Sequence, residues 1–269
     1  MKKRTMTILG VSIAVVLLIV VGFVIYLKYR INNIPDTNNL REIVDKNAQQ
    51  LIAQQKVVGM AVGIIQEEKM YMKGYGYADI AQKTPVDSST LFEIASISKV
   101  FTTELTEILV QQKQLAWEDK VYQFIPNGYQ PNKDDGTTLL HLATHTAGYP
   151  RIPKALLDKI TNDCNPYVTL TETDLLNYLK NPQDKRIPEQ ATYDYSNFGI
   201  GLLGHILEWK TGKTYEQLLE QELLSKLDMK NTGLTVRNSA KFAVSYDSIR
   251  KPTCHWDFGV LYGAGAIRS

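Results

Sequence analysis

Thr7 to Leu27 is a run of 21 residues without a charged side chain, built mainly from Val, Ile and Leu. At about 1.5 Å rise per residue, a helix of that length reaches roughly 30 Å, the thickness of a bilayer's hydrocarbon core. A cleaved secretory leader has a shorter apolar stretch, about 7–15 residues, followed by a small-residue cleavage site. Here the run leads straight into Tyr26-Leu27-Lys28-Tyr29-Arg30, which reads as an uncleaved signal anchor, an N-terminal transmembrane helix. Lys2, Lys3, Arg4 and the terminal amine outweigh Lys28 and Arg30. The N-terminus is therefore expected in the cytoplasm and the bulk of the chain outside it. The expected layout is a cytoplasmic stub over 1–6, an anchor in the lipid bilayer over 7–27, a tether over 28–37 and a folded domain over 38–269.

The formal charge of +2 belongs to that N-terminus. The first 30 residues hold five basic side chains and no acid, leaving 25 basic and 28 acidic residues in the other 239. No basic stripe remains to meet phosphates, so a nucleic-acid partner is not expected. A hydrophobic content of 44% is that of globular material and excludes a disordered or collagen-like chain. Cys164 and Cys254 are the only cysteines. Both sit in loop-like sequence without metal-ligand spacing, and outside the cytoplasm a disulfide and two free thiols are both open to them.

Leu40, Ile43, Val44, Leu51 and Ile52 recur at helical spacing, which predicts an amphipathic helix over 38–55. Residues 57–66 and 69–79 read as a β-hairpin about Glu67-Glu68. Helices are predicted over 96–113, 137–146, 172–180, 196–209 and 215–226, the third stopped by Asn181-Pro182 and the fourth closed by Gly212. One helix, a hairpin and then mostly helices is an α/β or α+β pattern.

Ser96-Ile97-Ser98-Lys99 puts a hydroxyl and an amine on one helix face, one turn apart. A serine is a poor nucleophile until a neighbour accepts its proton. At a helix start, unpaired N–H groups favour an oxyanion, and burial pushes a lysine toward the neutral amine that can act as base. The pattern is short enough to arise by chance, as Ser248-Ile249-Arg250-Lys251 does, but only Ser96 is followed by an apolar helix with Val100, Phe101, Leu105, Ile108 and Leu109. Tyr195-Ser196-Asn197 is the one Y-x-N in the chain. A tyrosine beside an ammonium can shuttle protons, and an asparagine can bind both a lysine and a substrate carbonyl. Read alone, that tripeptide is a loop tyrosine capped by Asn. His141 and His145 stand at i and i+4 without a suitably spaced third ligand, so the reading there is structural and no metal is expected.

Together, Phe92–Lys99, Thr138–Pro150, Tyr193–Gly199, Leu227-Asp228-Met229 and Gly263–Ser269 resemble, in order, the serine beta-lactamase and penicillin-binding-protein superfamily. The resemblance is narrower to its class C beta-lactamase, D,D-carboxypeptidase and esterase branch. It implies an α+β beta-lactamase/transpeptidase-like fold, a helical subdomain with an antiparallel sheet. It also implies a membrane-anchored, extracytoplasmic serine hydrolase at the bacterial cell membrane that cleaves an amide or ester through an acyl-serine intermediate, without cofactor. Ser96 would be acylated, Lys99 and Tyr195 would activate it and protonate the leaving group, and Asn197 would orient Lys99 and the substrate amide. The Ser96 N–H would be one arm of the oxyanion hole.

The family's third motif, K-T-G or H-x-G on a C-terminal strand, has no counterpart in the expected place. Lys210-Thr211-Gly212 lies 13 residues after Asn197 and ends a helix, so Gly212 reads as a C-cap. The C-terminal strands of the sheet are expected to be missing from this chain. Losing one oxyanion donor costs about 10²–10³ in rate, so the 269-residue product alone is expected to be weakly active or inactive, and poorly stable. Two other readings are a non-catalytic relative that binds cell-wall peptide or a partner protein, and a truncated gene product.

Overall fold

The computed structural model of the chain describes residues 19–28, 40–66, 68–131, 134–186, 192–235 and 242–269. Residues 1–18 and 29–39, which include the expected stub, most of the anchor and most of the tether, lie outside the described residues. Residues 19–28 are helical with exposed apolar side chains. Among the described residues no helix is long and apolar enough to cross a membrane. The chain divides into two units, one ending at Met60 and one beginning at Ala61.

The first unit contains α1, Leu40–Ala53, the amphipathic helix expected from its spacing. The strands follow as β1 (Gly59–Gln66), β2 (Lys69–Asp79) and a two-residue β3 (Thr84–Pro85), in the order β1-β2-β3. β3 runs antiparallel to β2, and the register shifts between Tyr77 and Asp79.

The rest of the second unit is mostly helical: α2 (Ser98–Gln111), α3 (Leu139–Ala143), α4 (Lys154–Leu157), α5 (Glu172–Lys180), α6 (Asn197–Thr211) and α7 (Tyr215–Leu218). Their starts follow a repeated device. Thr138, Thr171 and Thr214 each accept the N–H three residues on, from His141, Asp174 and Gln217, whose side chains reach back to the cap N–H. Each pair satisfies two backbone donors that a helix start leaves open. α7 continues not as the expected α-helix but as a wider π turn over Leu219–Leu224.

α6 is the axis of the core. Its first eleven residues, Asn197 to Leu207, are all buried, which a helix apolar on every face requires. Gly201 lets the segment Gly259–Ala264 approach, since a Cβ there would stand 2.8 Å from Leu261 Cδ2 and 3.2 Å from its Cα. α6 ends at Gly212, left-handed at φ +70° with its N–H on the Glu208 carbonyl at 2.8 Å. Lys210-Thr211-Gly212 is therefore a helix terminus.

Two ties fix the remaining segments. Residues 266–269 lie between two partners: Phe92 and Ser269 exchange N–H···O bonds at 2.8 and 3.0 Å, and Gly233 and Arg268 exchange them at 3.0 and 2.9 Å. Cys164 and Cys254, left open by the sequence, are disulfide-bonded, with Cα atoms 5.5 Å apart. Beside that bond Asn165 accepts from Asp257 N–H at 3.1 Å and donates to its carboxylate at 2.7 Å.

Candidate active site

Ser96 is the middle residue of a 3₁₀ turn, Ala95–Ile97, that runs directly into α2. Ala95 before it has φ +45°, a left-handed conformation that costs a non-glycine residue about 1–3 kcal/mol. Hydrogen bonds on either side impose it. The Ile94 N–H donates to Ile267 O at 3.1 Å, and the Ile267 N–H donates to the buried Ser98 Oγ at 3.0 Å. The serine is thereby set at the helix start with Lys99 one turn beyond.

Lys99 is 8% exposed. Its Nζ donates to Ser96 Oγ at 3.1 Å and to the Ala264 carbonyl at 2.6 Å. Burial lowers its pKa below the ordinary lysine value, the hydrogen bond and charge of Tyr195 oppose that, and the Arg151 charge adds to it. Tyr195 comes from the loop before α6, and its hydroxyl donates to Ser96 Oγ at 2.7 Å. Its partial burial pushes the phenol up. Hydrogen bonds with Lys99 and Ser96 and the charges of Lys99 and Arg151 together outweigh that, and the net shift is downward. A buried ammonium and a phenol that both lose their protons more readily than usual are the pair needed to take a proton from a hydroxyl between them.

Asn197 is the first residue of α6 and is buried. Its backbone N–H and that of Phe198 both donate to the Arg151 carbonyl, at 3.0 and 3.1 Å. The side-chain oxygen Oδ1 is buried without a hydrogen-bond partner. The contact to Lys99 that the resemblance implies for it is thus not made. The lysine is oriented by Ser96 and by the Ala264 carbonyl instead. An unpaired buried acceptor is uncommon, and a catalytic or ligand-binding role is one of the few reasons to keep it.

Of the four residues singled out from the sequence, Ser96, Lys99 and Tyr195 touch one another, and Asn197 follows Tyr195 by two positions without bonding to the lysine. Three further groups belong to this site. The Ala264 carbonyl lies in the Gly263–Ser269 match, to which the motif reading assigns no role. His145 packs on the Tyr195 ring with centroids 4.6 Å apart. The exposed Arg151 places its guanidinium carbon 5.1 Å from the centre of that ring, and no periodicity or motif marked it.

Residues 44–266 match the beta-lactamase family. The chain belongs to that family. It is 32% identical over 216 residues to a beta-lactamase of Pseudomonas fluorescens, covering 80% of this chain and 57% of that protein. With a beta-lactamase of Escherichia coli (strain K12) the identity is 34% over 197 residues, covering 73% and 49%. A solved class C beta-lactamase from Rhodobacter sphaeroides superposes with a TM-score of 0.68 at 27% identity, covering 83% of this chain and 61% of the other. The α+β fold and the class C-like branch read from the motifs agree with these matches. The chain spans about half the length of the curated relatives it matches.

Proposed function

We propose that this beta-lactamase-family chain carries the acyl-transfer centre of a serine hydrolase, acting on amides or esters. The observation that supports it most is one oxygen, Ser96 Oγ, held 3.1 Å from the Lys99 amine and 2.7 Å from the Tyr195 hydroxyl. Ser96 Oγ attacks the substrate carbonyl, a carbon–oxygen bond forms, and the serine proton passes to the Lys99–Tyr195 pair. The same pair returns a proton to the departing nitrogen or oxygen as the scissile bond breaks, leaving an ester on Ser96. Water, deprotonated in turn, cleaves that ester and frees the serine. The Asn197 oxygen is available to an N–H of the bound substrate. β-Lactams, D-Ala-D-Ala stem peptides, esters and D-amino-acid amides all carry a suitable acyl group.

The proposal includes a single-pass membrane anchor over 7–27 and an extracytoplasmic site. The uncharged run supports the first, and a disulfide supports the second, because such bonds persist in oxidising compartments. A fluorescent penicillin should label the protein covalently at Ser96, and Ser96→Ala should abolish the label. Labelling that survives Ser96→Ala, or an intact, folded chain that no penicillin or fluorophosphonate acylates, would overturn the reading.

A further inference from the structure

Tyr195 is fixed from both flanks by a single residue. The Asp194 N–H donates to the His145 carbonyl at 2.9 Å, and the Ser196 N–H donates to His145 Nδ1 at 3.1 Å. Between those two bonds the imidazole lies on the Tyr195 ring at 4.6 Å and meets the Tyr193 ring edge-on at 5.7 Å. His145 itself has φ +60°, a left-handed conformation that surrounding bonds must impose. A ring nitrogen that accepts an N–H carries no hydrogen, so this imidazole is neutral with its proton on Nε2.

We propose that His145 is the positioning residue for Tyr195: its carbonyl and its unprotonated Nδ1 clamp the backbone on either side of the phenol, and protonation of the ring opens that clamp. Nδ1 with a hydrogen would confront the Ser196 N–H, donor against donor, so the loop or the ring must move. Both displace the phenol from Ser96. Serving acyl transfer rests on the function proposed above, whereas the clamp itself does not.

The groups facing the imidazole favour its neutral form. Burial first, and then the Lys99 charge, lower its pKa below the ordinary histidine value. The phenols of Tyr193 and Tyr195 face it from the loop before α6, and Arg151 lies over the Tyr195 ring. The nearby Asp194 carboxylate is engaged by Arg186 at 2.5 Å. His141, one turn earlier, accepts the Thr138 N–H on its own Nδ1 at 3.2 Å. At neutral pH the clamp is therefore closed, and acidification through the His145 pKa opens it.

Two readouts test this on the full 269-residue chain. With serine labelled by nitrogen-15, the Ser196 amide resonance should shift with the ionisation of the His145 ring, below about pH 6.5. His145→Asn, which keeps an acceptor near the Nδ1 position but does not titrate, should flatten that shift. In parallel, His145→Ala should slow fluorescent-penicillin labelling of Ser96 roughly tenfold, the loss of about one hydrogen bond's worth of positioning. His145→Asn should recover most of the rate and lose the part of the acid limb that follows the ring. A Ser196 amide indifferent to His145 ionisation overturns the proposal, and so does His145→Ala with wild-type rate and pH profile. If Ser96 never labels while the amide tracks the ring, the clamp stands and the acyl-transfer reading falls. Should His145→Ala fail to fold, the amide comparison between wild type and His145→Asn decides.

Discussion

α6 and β2 contrast how two segments of one unit are held. Of the fifteen residues of α6, the first eleven are buried, and Phe198, Leu202, Leu203, Ile206 and Leu207 are all at zero exposure. β2 has eleven residues and buries only Tyr75 and Ala78, while Met70 and Met72 are 61% and 59% exposed. β1 behaves likewise, with Ile65 at 75%. Sequence accounts for part of this, since β2 carries Lys69, Lys73 and Asp79 whereas α6 has no Asp, Glu, Lys or Arg before Glu208. The helix finds partners on every side because α2, α3 and the Gly259–Ala264 segment converge on it. The strands have neighbours along their hydrogen-bonding edges and little over their faces. The trio of Ser96, Lys99 and Tyr195 draws on the well-held region: Ser96 leads into α2, Lys99 stands in its first turn, and Tyr195 leads into α6.

The contrast breaks or holds on one pair of substitutions. Phe198→Ala removes a fully buried ring packed between Tyr149 and Tyr178, with centroids at 5.0 and 4.9 Å. It should cost about 3–5 kcal/mol in urea unfolding. Met72→Thr, on the exposed face of β2, should cost no more than about 0.5 kcal/mol. Comparable losses would mean that the strand face is covered in solution and that the two regions are held alike. Next in size is the disulfide. It closes a loop across 90 positions of sequence, and the chain-entropy limit for such a loop is about 4–5 kcal/mol, of which real bonds usually deliver about 2–4. Reduction should lower the melting temperature of the helical region. Unchanged melting would show that the Asn165–Asp257 clasp and the Tyr167–Trp256–Phe258 ring cluster hold these loops without help from the thiols.

How far the sequence revealed this depends on how local each signal is. α5 runs from Glu172 to Lys180, as predicted, because a threonine cap begins it and Asn181-Pro182 stops it. The hairpin likewise needs only alternation and a turn. The short helix Lys154–Leu157 and the 3₁₀ segment Gly259–Ala264 were missed. Neither is long enough to show a period, and the second exists because Gly201 and Gly263 allow close approach to α6. Within the site, Ser96, Lys99, Tyr195 and Asn197 were legible as motif residues. Their mutual distances were not, since the chain brings Tyr195 to Ser96 across 99 positions. The Ala264 carbonyl was invisible for a different reason: every residue has such a group, and only folding decides which one meets the lysine.

Arg151 sharpens the comparison at its finest scale, because it is an exposed charge that acts on both the buried Lys99 and the half-buried Tyr195. Its guanidinium lowers the pKa of both Lys99 and Tyr195. Arg151→Gln removes that charge while leaving the backbone carbonyl that receives Asn197 and Phe198. Both groups should then hold their protons to higher pH. Acylation needs the pair in a proton-accepting form, so the acid limb of Ser96 labelling should move to higher pH, and labelling near neutral pH should slow. The effect should be the smallest of those described, because solvent screens an exposed cation. A limb that stays in place would mean that water already screens Arg151 from the pair. The lowered proton affinity of Lys99 would then come from its burial, and that of Tyr195 from its closeness to Lys99 and Ser96.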